Sequence, residues 1–214
     1  MSSAKEDILA RIRTSLADAP VAPEPQRNYR RVSHLNQEQT IEMLVDRLVD
    51  YKANVFEATE ANIADVIAER LGETSHYVVP VGLNRQWLPE DTPTRTCFTD
   101  SGSTLEPGAL TVHQLDAVDA VVTSSTVSCA ETGTIFVNSN QDEGRRAISL
   151  VPDHHICVVP RSTVVELVPE AIDRITYERP VTMISGPSAT SDIELIRVEG
   201  VHGPRTLDVI ILDQ

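Results

Sequence analysis

The sequence predicts an α/β layered fold with a mainly parallel sheet flanked by helices. Three observations carry this reading. Short all-apolar runs recur ("HYVVPVG" from His76, "DAVVTSS" from Asp119, "HICVVP" from His155, "LDVIIL" from Leu207), and strands of that kind are buried on both faces. Segments with helical apolar spacing alternate with them, as layered α/β domains require. Apolar residues make up 41% of the 214-residue chain and aromatics only 4%, so Val, Ile, Leu and Ala fill the core.

In chain order, residues 4 to 16 place Ile8, Leu9, Ile12 and Leu16 on one helical stripe, and "DAPVAPEPQ" (Asp18 to Gln26) puts three prolines in nine residues and ends it. Residues 1–29 therefore read as an amphipathic helix on a Pro-rich linker. The helix is expected to dock, on its own body or on a neighbouring subunit. The body, 30–214, opens with a helix over about 36 to 52, whose Ile41, Leu44, Val45, Leu48 and Val49 follow i, i+3, i+4 spacing. "ANVFEA" is a short strand, and Ile63, Val66, Ile67 and Leu71 make the next helix, closed near Gly72. Strands follow at "HYVVPVG", "DAVVTSS", "GTIFVNS" and "HICVVP". A helix is expected after the last of these, with Thr163 and Glu166 as a capping box and Val164, Leu167, Val168, Ala171, Ile172 and Ile175 facing inward. "VTMIS" and "LDVIIL" complete the strands.

The net charge is −14, from 32 acidic and 18 basic residues, which repels phosphate backbones and anionic lipid. Nucleic acid and membrane are thereby poor partners. No apolar run reaches 18 residues, and the charged start does not resemble a signal peptide, so the expected compartment is the cytoplasm. Cys97, Cys129 and Cys157 are far apart with no Cys-x-x-Cys, which predicts buried free thiols and no zinc or iron–sulfur site. No H-x-x-x-H or H-E-x-x-H spacing occurs either, so no metal site is expected. His154 and His155 are adjacent on a strand and point to opposite faces, so at most one joins a given site.

Two stretches carry candidate chemistry. "SGPSATSDIELIRVEGVHGP" (185 to 204) holds the turns Ser185-Gly186-Pro187 and His202-Gly203-Pro204. Ser185, Gly186, Ser188, Thr190, Ser191, His202, Gly203 and Arg205 offer hydroxyls, amides and a cation to a small anion or substrate. Ser191 with Glu194 would equally make a plain helix cap. "SCAETGTI" (128 to 135) sets Glu131 beside Ser128 and Thr132, either as a base or nucleophile or as a capping or salt-bridging glutamate. Arg145 and Arg146 can pair an anion or an internal carboxylate. Ligands in parallel sheets gather beyond the carboxyl ends of strands. The loops "TSSTVSCAETG", "NSNQDEGRR" and "SGPSATSD" each follow a strand and are expected to converge there.

"AETGT" after the "DAVVTSS" strand, then "SLVPDHHICVV", then "SGPSATSDIE…GVHGP", in that order, resembles the LUD domain of the LutC/YkgG family of lactate utilisation proteins. The resemblance spans roughly residues 30 to 214. Ala189 stands where many members carry Arg. It implies a fold similar to the NagB/RpiA/CoA-transferase group. It further implies a role in L-lactate oxidation to pyruvate beside two iron–sulfur partners, LutA- and LutB-like, with no cofactor bound by this chain. It hands over no established catalytic residue. Two alternatives stand beside it: a free-standing CoA-transferase-like or sugar-phosphate-isomerase-like enzyme with Glu131 as active carboxylate, and a non-catalytic metabolite-sensing module.

Overall fold

The computed structural model describes residues 3–17, 23–73, 75–102, 108–191, 197–199 and 203–213. The first half holds α1 (Ala4–Ser15), α2 (Gln37–Asp50), β1 (Asn54–Thr59), α3 (Ile63–Leu71), β2 (Ser75–Pro80), β3 (Arg95–Asp100) and α4 (Val112–Asp116). The second half holds β4 (Ala120–Thr123), β5 (Val127–Cys129), β6 (Thr134–Val137), β7 (His154–Pro160), β8 (Val164–Val165) and α5 (Val168–Ile172). It ends with β9 (Thr182–Ile184), β10 (Ala189–Ser191), β11 (Arg197–Glu199) and β12 (Thr206–Asp213).

Six strands form one sheet in the order β1-β12-β7-β4-β2-β3, every neighbouring pair parallel. β7 and β12 are central and almost wholly buried, which is why both read as unbroken apolar runs. A second, mixed sheet has the order β8-β5-β6-β9, with β5–β6 and β6–β9 antiparallel. β10 and β11 form a separate antiparallel pair.

Helix α3 covers one face of the parallel sheet, packing Ile63, Ile67 and Leu71 on Val122, Val158 and Ile210. The opposite face, Cys157, Val159, Leu207 and Val209, meets both α2 (Ile41, Leu44, Leu48) and the second sheet (Ile135, Val137). α5 lies on the far side of that second sheet. Helix α2 begins at a reciprocal cap, Asn36 accepting from Gln39 N at 2.9 Å and Gln39 accepting from Asn36 N at 3.1 Å. Burying Leu44 and Leu48 completely ties its register to the sheet.

Three sequence expectations change. The helix foreseen from Thr163 does not form: Val164 and Val165 are β8, paired with Ser128 and Cys129, and the helix is confined to Val168–Ile172. Pro169 sits in its first turn, where proline is tolerated but disfavours helix before it. Leu167 N is capped by Glu170, leaving Glu166 free for another task. The strands "GTIFVNS" and "VTMIS" belong to the second sheet rather than the parallel one. β3 was not foreseen, because its "RTCFTD" is an edge strand of mixed polarity.

The N-terminal helix forms with a Ser3–Glu6 capping box, but none of its residues is buried and Ile8, Ile12 and Leu16 face outward. It does not dock on its own body. The segment that follows the linker does. Glu166 accepts from Ser33 Oγ at 2.6 Å and His34 N at 3.0 Å, with Arg30 at 3.4 Å. The Ser33 hydroxyl, ahead of these neighbours, lowers the Glu166 pKa. Residues 18–22 of the Pro-rich stretch lie outside the described residues.

Candidate functional site

The turn after β9 reverses over the amino ends of β7 and β12. Ser188 N donates to Pro204 O at 2.8 Å, so the two Gly-Pro turns are tied to each other. Ser185 Oγ lies 2.8 Å from Thr134 Oγ1, which holds the first turn to β6. Gly186 has φ +97°, and a Cβ there would come within 2.7 Å of Tyr51 Cβ and 2.9 Å of Tyr51 O. Only glycine fits that contact with the end of α2. Together these turns roof a cleft of about 230 Å³ lined by Ser185 to Ala189, Gly203, Pro204, Leu150 and, on its floor, His155.

His155 is 1% exposed. Burial, and then the neighbouring His154, lower its pKa to about 4, so the ring is neutral. Its Nε2 lies 2.8 Å from Thr123 Oγ1. Thr123 Oγ1 in turn approaches Cys157 Sγ at 3.9 Å, and that thiol approaches Ser124 O at 3.9 Å. Ser124 O can only accept. Burial pushes the Cys157 thiol up to about 12, so its S–H is kept and donates to that carbonyl. The 2.8 Å bond between Thr123 Oγ1 and His155 Nε2 runs in the direction set by the imidazole tautomer. No described residue bonds Nδ1, which is left for a ligand in the cleft. His154, on the other face, places Nε2 3.0 Å from Asp208 Oδ2. The alternation read from sequence limits the cleft to one of the two histidines, and the structure makes it His155.

The residues singled out in sequence separate into groups. Ser185, Gly186, Ser188 and Gly203 line the cleft. Thr190 and Ser191 belong to β10, a strand rather than a helix start. His202 and Glu194 lie outside the described residues. Arg205 is turned to Asp153, with Nε at 2.7 and 2.8 Å from its two oxygens, and this contact lowers the Asp153 pKa. Glu131 sits on the β5–β6 turn, half exposed, 2.7 Å from Arg30, and does not line this cleft. Arg145 pairs the buried Asp100.

The expected convergence of three loops beyond the carboxyl ends of the strands is not what forms. The "SGPS" turn lies at the amino ends of β7 and β12, whereas the loop 139–146 lies at the carboxyl ends of β2 and β3. β9 runs in the second sheet, antiparallel to β6, so the loop after it is delivered to the other end of the molecule. Sequence reading left His155, Thr123 and Leu150 unassigned. The one signal for His155 was an imidazole inside an otherwise apolar buried strand. Of the thiols, Cys129 and Cys157 are buried as expected, while Cys97 is partly exposed. Among the described residues no three metal-ligating side chains cluster, and no helix is long and apolar enough to cross a membrane.

Comparison with known proteins agrees with this architecture. Residues 31–212 match the LUD domain. The chain is 39% identical over 215 residues to lactate utilization protein C of Deinococcus radiodurans, covering 99% of this chain and 96% of that one. It is 26% identical over 204 residues to lactate utilization protein C of Bacillus subtilis strain 168, covering 86% and 81%. A crystal structure of a DUF162 family protein from D. radiodurans shares the fold with a TM-score of 0.69 at 33% identity, covering 83% of this chain and 99% of that one. With a domain match over nearly its whole length and a relative that aligns end to end, the chain belongs to the LUD domain family.

Proposed function

We propose that this chain is the cluster-free component of an L-lactate oxidation system, in which lactate becomes pyruvate and the electrons pass to iron–sulfur partners of the LutA and LutB kind. The names of its relatives support the lactate assignment. The observation that carries the chain's own part is the small cleft over His155. A cavity of about 230 Å³ suits a three-carbon acid. In this reading His155 carries its proton on Nε2, so that Nδ1 accepts a hydrogen bond from the 2-hydroxyl, and the Ser185 and Ser188 turn supplies hydroxyls near the carboxylate.

With a pKa of about 4, His155 orients the hydroxyl rather than keeping its proton. Its role is positioning: it selects a ligand that donates at C2. Oxidation removes two electrons and two protons from lactate, and the acceptor belongs to the partners. The three separated thiols of this chain do not fit a cluster. The Glu131–Arg30 pair on the outer turn is a clamp for the segment that follows the linker in this reading.

The test is growth of a deletion strain on L-lactate against glucose, complemented with wild type, Glu131→Ala and His155→Leu. Wild type and Glu131→Ala are expected to restore growth on lactate. His155→Leu is expected to fail while remaining folded, and its purified form to bind L-lactate at least about tenfold more weakly. Normal growth of the deletion on lactate, with no second copy in the genome, would overturn the assignment. Failure of Glu131→Ala in a folded protein would move the chemistry to that carboxylate.

A further inference from the structure

A second, larger cleft of about 710 Å³ opens where Pro80 ends β2 and Asp100 ends β3. Its other wall is the 139–146 loop with Arg179 and Pro180. The chain leaves β2 outward to β3, but leaves β4 in the opposite direction, towards β7. The carboxyl ends of these two adjacent strands therefore mark a topological switch point, where open parallel sheets bind ligands. The larger cleft borders that point through Pro80 at the end of β2, whereas the cleft over His155 lies at the amino ends of the strands.

Its walls are built rigidly. Gly82 N donates to Gln141 O at 2.9 Å, and a Cβ on Gly82 would meet Gln141 at 2.6 Å, so the loop lies directly on the end of β2. The buried Glu143 accepts from Asn138 N at 2.7 Å and Asn140 N at 2.9 Å, which locks the loop's curvature. Arg145 is spent inward on Asp100. Arg146 and Arg179 are different. Both are exposed and line the cleft, and neither has a carboxylate partner among the described residues; Arg179 only donates to Asn140 Oδ1 at 2.8 Å. Ser101 Oγ, also on the lining, is buried with no hydrogen-bond partner among the described residues.

Two guanidinium groups without a carboxylate partner among the described residues, in a concave wall on a chain of net charge −14, concentrate positive potential at one place. The small cleft has no cationic residue in its lining. The geometry points to this second cleft as the binding site for a phosphate-bearing ligand of nucleotide size, with Arg146 and Arg179 holding the phosphates. Its volume is about three times that of the His155 cleft (710 against 230 Å³), far more than a three-carbon acid fills. Guanidinium forks favour phosphate bidentately. The inference is independent of which acid the first cleft takes.

Titration calorimetry of the full chain with ADP and with inorganic pyrophosphate, at low salt, tests it. ADP is expected to bind and to be displaced by pyrophosphate. Arg146→Gln and Arg179→Gln should each weaken ADP about tenfold, while Arg205→Gln and saturating L-lactate leave it unchanged. Absence of binding by both probes at millimolar concentration would overturn the site. So would full-strength binding by the double Arg146→Gln/Arg179→Gln variant, or loss through Arg205→Gln alone. Arg145 is left intact throughout, because its loss destabilises the fold and would confound a loss of binding.

Discussion

Arg145→Met is expected to destabilise the fold by about 3–5 kcal/mol, a fall in Tm of roughly 10 °C in a chain of this length. Asp100 ends β3 with a side chain that is 0% exposed, while Arg145 is 17% exposed. The guanidinium meets both carboxylate oxygens, at 3.0 Å from Nε to Oδ1 and 2.8 Å from Nη2 to Oδ2, and also donates to Leu110 O. The amides of Gly102 and Leu110 donate to the same carboxylate at 2.9 Å each. Methionine keeps the aliphatic stem and strands the charge.

The pH dependence follows from the same contacts. Burial acts to raise the Asp100 pKa, but the hydrogen bond from Arg145 and the two amides outweigh it and hold it below 3.8. A depressed folded pKa means the unfolded chain binds the proton more readily. The stabilisation is therefore complete above the unfolded pKa near 3.8 and is lost as pH falls through the lower folded value. In Arg145→Met burial is opposed only by the amides, so protonation of Asp100 relieves the variant. Denaturant titrations should show the gap between the two proteins narrowing as pH drops from 7 towards 4. A gap that stays constant, or a loss below about 1 kcal/mol, would mean the pair is not a structural tie between the β3 end and the 139–146 loop.

Gly186→Ala is expected to cost about 2–4 kcal/mol and to collapse the His155 cleft. The φ of +97° is strained for any L side chain, and the new methyl would meet main-chain and Cβ atoms of Tyr51 that cannot rotate away. Relief requires the "SGPS" turn to lift from α2, which parts Ser188 N from Pro204 O. Thermal unfolding and L-lactate binding, read on the same sample, check both consequences. A variant with unchanged Tm would contradict the close approach. One with lowered Tm but normal lactate affinity would place the ligand elsewhere.

How far the sequence reached depends on the range of the interaction involved. The α2 stripe, Ile41 to Val49, and the β7 and β12 runs were legible because burial imposes a local period on them. The 163–175 stretch misled because "TVVE" satisfies a capping pattern, while the pairing of Val164 and Val165 with Ser128 and Cys129 comes from 36 residues away. β6 and β9 looked like members of the parallel sheet, since an all-apolar strand reads the same in either sheet. The Gly-Pro turns were recognisable as shaped loops, but their end of the molecule was not. That depended on β9 pairing antiparallel to β6.

Composition, periodicity and turn chemistry were enough to establish a layered α/β body, a separate N-terminal helix, an acidic surface and two Gly-Pro turns near the C-terminus. These are properties of neighbours along the chain. Tertiary structure alone decided that His155 and not His154 faces a cleft, and that Arg205 is turned to Asp153 and Arg145 to Asp100 while Arg146 and Arg179 face open space. It also decided that the two clefts lie at opposite ends of the parallel sheet. Each of these outcomes turns on which distant strand or carboxylate a residue meets. Such meetings are set by sheet order and register, which no local window of sequence contains.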